Sequence, residues 1–199
     1  MIYLIAIVPP LIILIAVNRY CGIRRLLTKQ RLLLFFGGGI VTAVTAMLLG
    51  YVLSSSIGAA LGAGSILFAL VNSILFTALI EEGVKYIIIR RSLRRADPAA
   101  VTMLDTIACS VTVTMGFALF ENLVYTIGET ITALILRGIL SVPGHMAHAV
   151  FMGWYLGAAM QDGFRGDPAG RRRNLIKALA VPTLTHGVYD VIVSLYNLS

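Results

Sequence analysis

Charge is scarce in this chain. Lys, Arg, Asp and Glu supply only 13% of the 199 residues while 58% are hydrophobic, and the mean hydropathy is +0.90. An ordinary soluble domain carries about 25% charged residues, so the shortage excludes a solvated globular domain and leaves an integral membrane protein. Cysteine is scarcer still. Cys21 falls in a basic loop and Cys109 in an apolar span, so neither a structural disulfide nor a cysteine-based metal motif follows. The sequence also lacks internal repeats and low-complexity tracts. What remains is an all-α, polytopic helical bundle forming a single membrane-embedded domain over residues 1–199.

The formal charge of +7 does not point to nucleic acid, because the basic residues sit in short segments between apolar runs, where membrane orientation accounts for them. The first run, "MIYLIAIVPPLIILIAV", has no small-residue cleavage pattern behind it and is expected to be a retained anchor. Further crossings are expected at about 32–53, 58–89, 99–127, 143–160 and 174–197, with "GAALGAGS" opening the third and offering small residues for close helix contact. Between the fourth and fifth, Pro143 and Gly144 interrupt a long apolar stretch. A proline there is expected to end or kink a helix, so 129–141 reads as a short interfacial or re-entrant helix carrying Arg137.

Five cations lie between residues 18 and 31, four between 90 and 95 and five between 165 and 177, leaving only Lys85 and Arg137 of the sixteen. With six crossings, all three clusters fall on one side of the bilayer. The positive-inside rule makes that side cytoplasmic and predicts extracytoplasmic termini; a seventh crossing at 129–141 would destroy the agreement. The expected location is a plasma membrane, in a prokaryote.

Removing the loops isolates Glu81, Glu82, Lys85, Asp105, Glu121, His145, His148, His186 and Asp190 within the spans. Each ionisable group inside a bilayer costs about 2.5–3.5 kcal/mol on insertion scales, so the collection requires pairing or a function. Spacing aligns them: Glu81 with Lys85, Glu121 with Tyr125 and His186 with Asp190 are four apart on one helix face, and His145 and His148 are three apart. At 1.5 Å per residue, Glu82 lies roughly 12 Å inside Arg90, well within the hydrocarbon. Imidazoles and carboxylates are ligand types for a borderline divalent metal such as zinc, with His145, His186 and one glutamate sufficient for a catalytic centre. The same residues suit glutamates that activate water without a metal, with histidines stabilising an oxyanion. Spacing alone does not separate the two.

Four segments then fall into a known order: "EEGVK" at 81–85, "FENLVY" at 120–125, "PGHMAHAVFMG" at 143–153 and "HGVYD" at 186–190. Together they resemble the PrsW family of intramembrane metalloproteases, distantly similar to the CAAX prenyl-protein proteases, over about residues 55–197, with 1–53 as additional N-terminal helices. The resemblance implies an intramembrane endopeptidase acting on membrane-anchored protein substrates, anti-sigma factors among them. Its site would comprise Glu81, Glu82, Glu121, His145 and His186, supported by Lys85, Tyr125, His148 and Asp190. Zinc would sit on His145, His186 and Glu82, with Glu81 activating water, although the spacing permits the two glutamates to exchange roles. His145 fits the third motif because Met152 follows seven residues later; His148 is an addition to the pattern and leaves open which imidazole is the ligand.

Plainer readings stand beside these. Glu81, Glu82 and Lys85 can be an ion pair that fixes helix packing, and His186 with Asp190 a hydrogen-bonded strut. Asp105, near a span end, reads as structural, and Arg137 as a partner of headgroups or of an acidic residue such as Glu129. A non-enzymatic proton or metal-ion transporter would also use intramembrane Glu and His groups, but no duplicated halves are visible.

Overall fold

The computed structural model describes residues 2–20, 28–62, 65–94 and 101–198. Cys21, Arg24, Arg25 and Arg95 of the expected basic loops lie outside the described residues. No strand occurs among the described residues. Six helices are long and apolar enough to cross a membrane. They are α1 (Ile2–Tyr20), α2 (Lys29–Leu61), α3 (Ile66–Leu93), α4 (Met103–Tyr125), α5 (Ile131–Phe164) and α6 (Pro168–Leu198). The chain is a multi-pass membrane protein of the expected all-α class.

Local chemistry sets the helix starts. Thr28, Ser65, Thr102 and Thr130 each precede a helix, and each side-chain oxygen accepts a backbone N–H from the first turn. At Thr102 the bond is reciprocal, because Asp105 accepts the Thr102 backbone N–H at 2.9 Å, so Asp105 has the structural role its position suggested. Gly62 and Gly166, at φ 78° and 75°, follow the ends of α2 and α5.

Helix α4 is the axis of the bundle. In its most apolar window 72% of residues are buried, against 11–33% in the other five helices. Lipid tails are as apolar as leucine, so transmembrane helices associate through close packing, which favours small residues at crossings. The α2–α4 crossing depends on this. A Cβ at Gly39 would lie 1.9 Å from the Val113 carbonyl oxygen, and one at Gly116 2.0 Å from that of Phe36. On the opposite side, a Cβ at Gly153 of α5 would lie 2.5 Å from the Ile107 Cα. Val113, Met152, Leu156 and Ile89 fill the core between α3, α4 and α5, with Cys109 buried among them.

Two expected boundaries shift. Ser54, Ser55 and Ser56 do not end α2: Ser55 and Ser56 donate to the Val52 carbonyl within the helix, and Ser54 donates to Asn72 of α3. Of "GAALGAGS", residues 58–61 therefore close α2 and Gly62 follows its end, while Ser65 caps α3. Nor does Pro143 separate a short helix at 129–141 from the fifth crossing, since residues 131–164 are continuously helical. A π-helical turn at Arg137–Ser141 is separated from the proline by Val142 alone; its wider i→i+5 bonding accommodates the ring and the missing N–H without a break. A second π-helical turn occupies Asn72–Ala78 of α3, just before the two glutamates.

Candidate functional site

Four helices bring all nine candidate side chains to one place. Helix α3 contributes Glu81, Glu82 and Lys85, α4 contributes Glu121 and Tyr125, α5 contributes His145 and His148, and α6 contributes His186 and Asp190. At the centre, Glu82 is 1% exposed and Lys85 fully buried. Lys85 Nζ donates to Glu82 Oε1 at 2.6 Å and lies 3.8 Å from Glu81 Oε2, so the tighter ion pair is with Glu82, three residues away, and the expected i,i+4 pair with Glu81 is the looser one. Packing decides this. The ammonium sits 4.1 Å from the centroid of Phe117 on α4, a position that brings it to Glu82.

His186 bridges several carboxylates. Its Nδ1 is 3.0 Å from Glu82 Oε1, while Nε2 is 3.4 Å from Asp190 Oδ2 and 4.0 Å from Glu81 Oε2. The three imidazoles gather around it: His148 stacks on His186 with centroids 4.9 Å apart and planes at 19°, and His145 meets it edge-on at 5.3 Å. His145 is fixed from behind by Glu121, whose Oε2 lies 2.9 Å from Nε2. A carboxylate only accepts, so Nε2 carries the hydrogen and Nδ1 the lone pair.

Arg137 meets an acidic residue, as one of its expected roles had it, but the residue is Glu121 and not Glu129: Nη2 forms an ion pair with Glu121 Oε2 at 3.1 Å, Nε donates to Asn122 Oδ1 at 3.3 Å, and the guanidinium lies 3.6 Å from the centroid of Tyr125. Asn122 in turn donates to the Ala6 carbonyl of α1 at 3.4 Å. Sequence reasoning missed this pair because Arg137 faces Glu121 only if α5 runs unbroken past Pro143. Asn122, adjacent to Glu121 inside "FENLVY", carried the only signal.

The donor set fits a metal ion. One ligand atom each from Glu82, His145, His148 and His186 lie within 4.8 Å of one another, and all four residues are buried. The Nδ1 atoms of His145 and His148 are buried without hydrogen-bond partners, as are Glu81 Oε2 and Asp190 Oδ2. A bound cation would satisfy imidazole nitrogens otherwise stranded at a cost of about 1–3 kcal/mol each. Four carboxyl groups, those of Glu81, Glu82, Glu121 and Asp190, outnumber the permanent cations Lys85 and Arg137, which leaves room for a further cation. His148 belongs to this cluster as fully as His145.

A cavity of about 710 Å³ reaches the cluster, lined by Glu81, Glu121, Tyr125, His145, His186 and Asp190 among others. Glu82 and His148 lie behind that lining. The adjacent glutamates are therefore not equivalent: Glu81 lines the cavity and its Oε2 makes only the long contacts to Lys85 and His186, whereas Glu82 is enclosed and hydrogen-bonded by both.

Residues 28–199 match the family described as PrsW family intramembrane metalloprotease. Among curated proteins, the chain is 36% identical to Protease PrsW of Clostridioides difficile (strain 630) over 124 residues, which is 60% of this chain and 50% of that protein. It is 34% identical to Protease PrsW of Bacillus subtilis (strain 168) over 158 residues, 78% of this chain and 66% of that protein. To Protease PrsW of Geobacillus kaustophilus (strain HTA426) it is 29% identical over 152 residues, 76% of this chain and 62% of that protein. The chain thus spans half to two thirds of the length of these relatives. No solved structure matches it.

Proposed function

Because this chain belongs to the PrsW family of intramembrane metalloproteases, we propose that it is a membrane-embedded endopeptidase that hydrolyses peptide bonds of membrane-anchored proteins. The observation that carries this reading is the division between the two glutamates: an enclosed Glu82 within a four-residue cluster, and Glu81 in the lining of the cavity that reaches it, its Oε2 making no hydrogen bond.

Glu82, His145 and His186, with His148, would hold zinc. When bound, the ion supplies a Lewis acid that polarises the scissile carbonyl and favours deprotonation of water. Glu81 takes a proton from the attacking water as its oxygen bonds to the carbonyl carbon. The same carboxyl then returns the proton to the amide nitrogen as the C–N bond breaks, leaving a carboxylic acid and an amine. Lys85 holds Glu82 in place through the 2.6 Å bond. Glu121, clamped by Arg137, accepts the Nε2 hydrogen of His145 and so aims its Nδ1 lone pair into the cluster. Asp190, with Oδ2 3.4 Å from Nε2 of His186, helps hold that ring against Glu82.

Residues 1–199 form one domain in this reading, with the proteolytic core at about 55–197 and both termini extracytoplasmic, so that the cavity opens toward the outer leaflet. Regulatory single-span proteins of the anti-sigma-factor type are the substrate class. Reconstituted into proteoliposomes with a single-span substrate, the protein is expected to cleave it, and Glu81→Gln to lose about 10²–10⁴-fold in rate while staying folded. A folded Glu81→Gln variant that cleaves normally would overturn the assignment. Ion flux without cleavage would replace the whole reading with a transporter.

A further inference from the structure

We infer that the groove between α3 and α6, whose lining includes none of the nine candidate site residues, is a binding site for one anionic diacyl phospholipid. At its inner end the two helices touch closely: a Cβ at Gly187 would lie 3.1 Å from Ile74 Cγ1 and 3.3 Å from its Cα. From that crossing toward the basic ends of the helices runs a groove of about 590 Å³ with Leu75, Leu79, Leu179 and Leu184 in its walls and Arg90 and Arg172 at its mouth. Beyond Arg90 a second cavity of about 520 Å³ adds Arg94 and Arg171 over an apolar floor that includes Leu156 and Met160. The two share Arg90 and Leu175, and no Asp or Glu among the described residues lines either.

Length and charge select the occupant. Leu184 and Arg172 are twelve residues apart on α6, a rise of about 18 Å. That distance matches one leaflet of a hydrocarbon core about 30 Å thick, whereas a transmembrane substrate helix would need a groove nearly twice as long. A hydrocarbon chain laid along the leucines brings a phosphodiester to Arg90 and Arg172. Arginine pairs with phosphate through two parallel N–H donors, and the ring of Tyr86, 5.6 Å from the Arg90 guanidinium, helps hold that side chain at the mouth. Basic pockets between transmembrane helices at headgroup level are sites of this chemistry.

Native mass spectrometry of the full chain in neutral detergent tests the site, with dioleoyl phosphatidylglycerol or dioleoyl phosphatidylcholine added. One phosphatidylglycerol is expected to be retained per chain. The Arg90→Gln/Arg172→Gln variant is expected to weaken retention about thirtyfold, each arginine contributing about fivefold. Arg165→Gln/Arg173→Gln removes the same charge from residues that line neither cavity and is expected to leave retention unchanged. Leu179→Trp, which fills the groove without altering charge, is expected to lower it, and Arg90→Lys/Arg172→Lys to keep most of it. The lysine pair and the tryptophan variant carry the test if the glutamine pair does not fold. Equal retention of the two lipids, equal loss in the Arg165/Arg173 control, or full retention in Leu179→Trp overturns the site. So does a single-span peptide that displaces the lipid and itself requires Arg90 and Arg172.

Discussion

Helices α3 and α5 deliver their site residues differently from α4 and α6. In α3 the π-helical turn Asn72–Ala78 lies just ahead of Glu81 and Glu82, and in α5 the turn Arg137–Ser141 lies just ahead of His145 and His148. Helices α4 and α6 contribute Glu121 with Tyr125 and His186 with Asp190 from plain α-helical i,i+4 positions. A π-helical turn carries one more residue than the α-helical turn it replaces and so re-phases everything downstream by about 100°. The irregular helices hold three of the four clustered ligand residues, Glu82, His145 and His148, while α4 contributes only a supporting carboxylate. Regular geometry suffices for Glu121 of α4, which braces the cluster, and for His186 of α6; in α3 and α5 a re-phased segment precedes the other three candidate ligands.

The largest test of this contrast removes the re-phasing. Deleting Ile139, a residue 63% exposed on the lipid side of the turn, is expected to restore α-helical phase, rotate His145 and His148 away, and lower cleavage at least a hundredfold with loss of bound zinc. Activity within tenfold of the parent would break the comparison. The bracing side of the contrast is probed by Arg137→Gln and Glu121→Gln. Each is expected to weaken zinc affinity about 10–100-fold in a chelator titration, and the double variant to be no weaker than Glu121→Gln alone, because the arginine acts through the carboxylate. Additive losses would show that Arg137 acts independently. Gly116→Ala addresses the axis that both pairs of helices share: its Cβ meets the Phe36 carbonyl, and thermal unfolding should register a cost of about 1–3 kcal/mol. The smallest effect is expected from Thr102→Ala, which removes the α4 cap for about 1 kcal/mol of stability while kcat stays at the parental value.

Much of this architecture is legible in the sequence because the bilayer imposes it. Six apolar runs give six helices, and Ser or Thr ahead of four of them marks where helix begins. The boundary between α2 and α3 was not legible at "SSS", since those hydroxyls bond back into their own helix and cost it little. At the site, the spacing of "EEGVK", "FENLVY" and "HGVYD" placed the right side chains on common faces. The partner of Lys85 was not readable: both glutamates are within reach, and the ring of Phe117 on another helix decides between them. The π-helical turn of α3 leaves no local signature either, and in α5 the one signal, Pro143, reads equally well as a helix end; with that turn went the continuity of α5 and the pairing of Arg137 with Glu121.

The bond from Asn122 to the Ala6 carbonyl has an origin four residues further along α1. Pro10 has no N–H, so the Ala6 carbonyl, which an ordinary residue at position 10 would bond, is left over. The missing donor on one helix becomes an acceptor for another, and Asn122, holding that oxygen with its amide nitrogen, uses its amide oxygen to steady Arg137. The contact asks nothing of the side chain at position 6, only that the chain offer a carbonyl without a partner. Helix α1, outside the region matched to the family, is thus joined to the braces of the site by a proline's defect and not by a recognition residue.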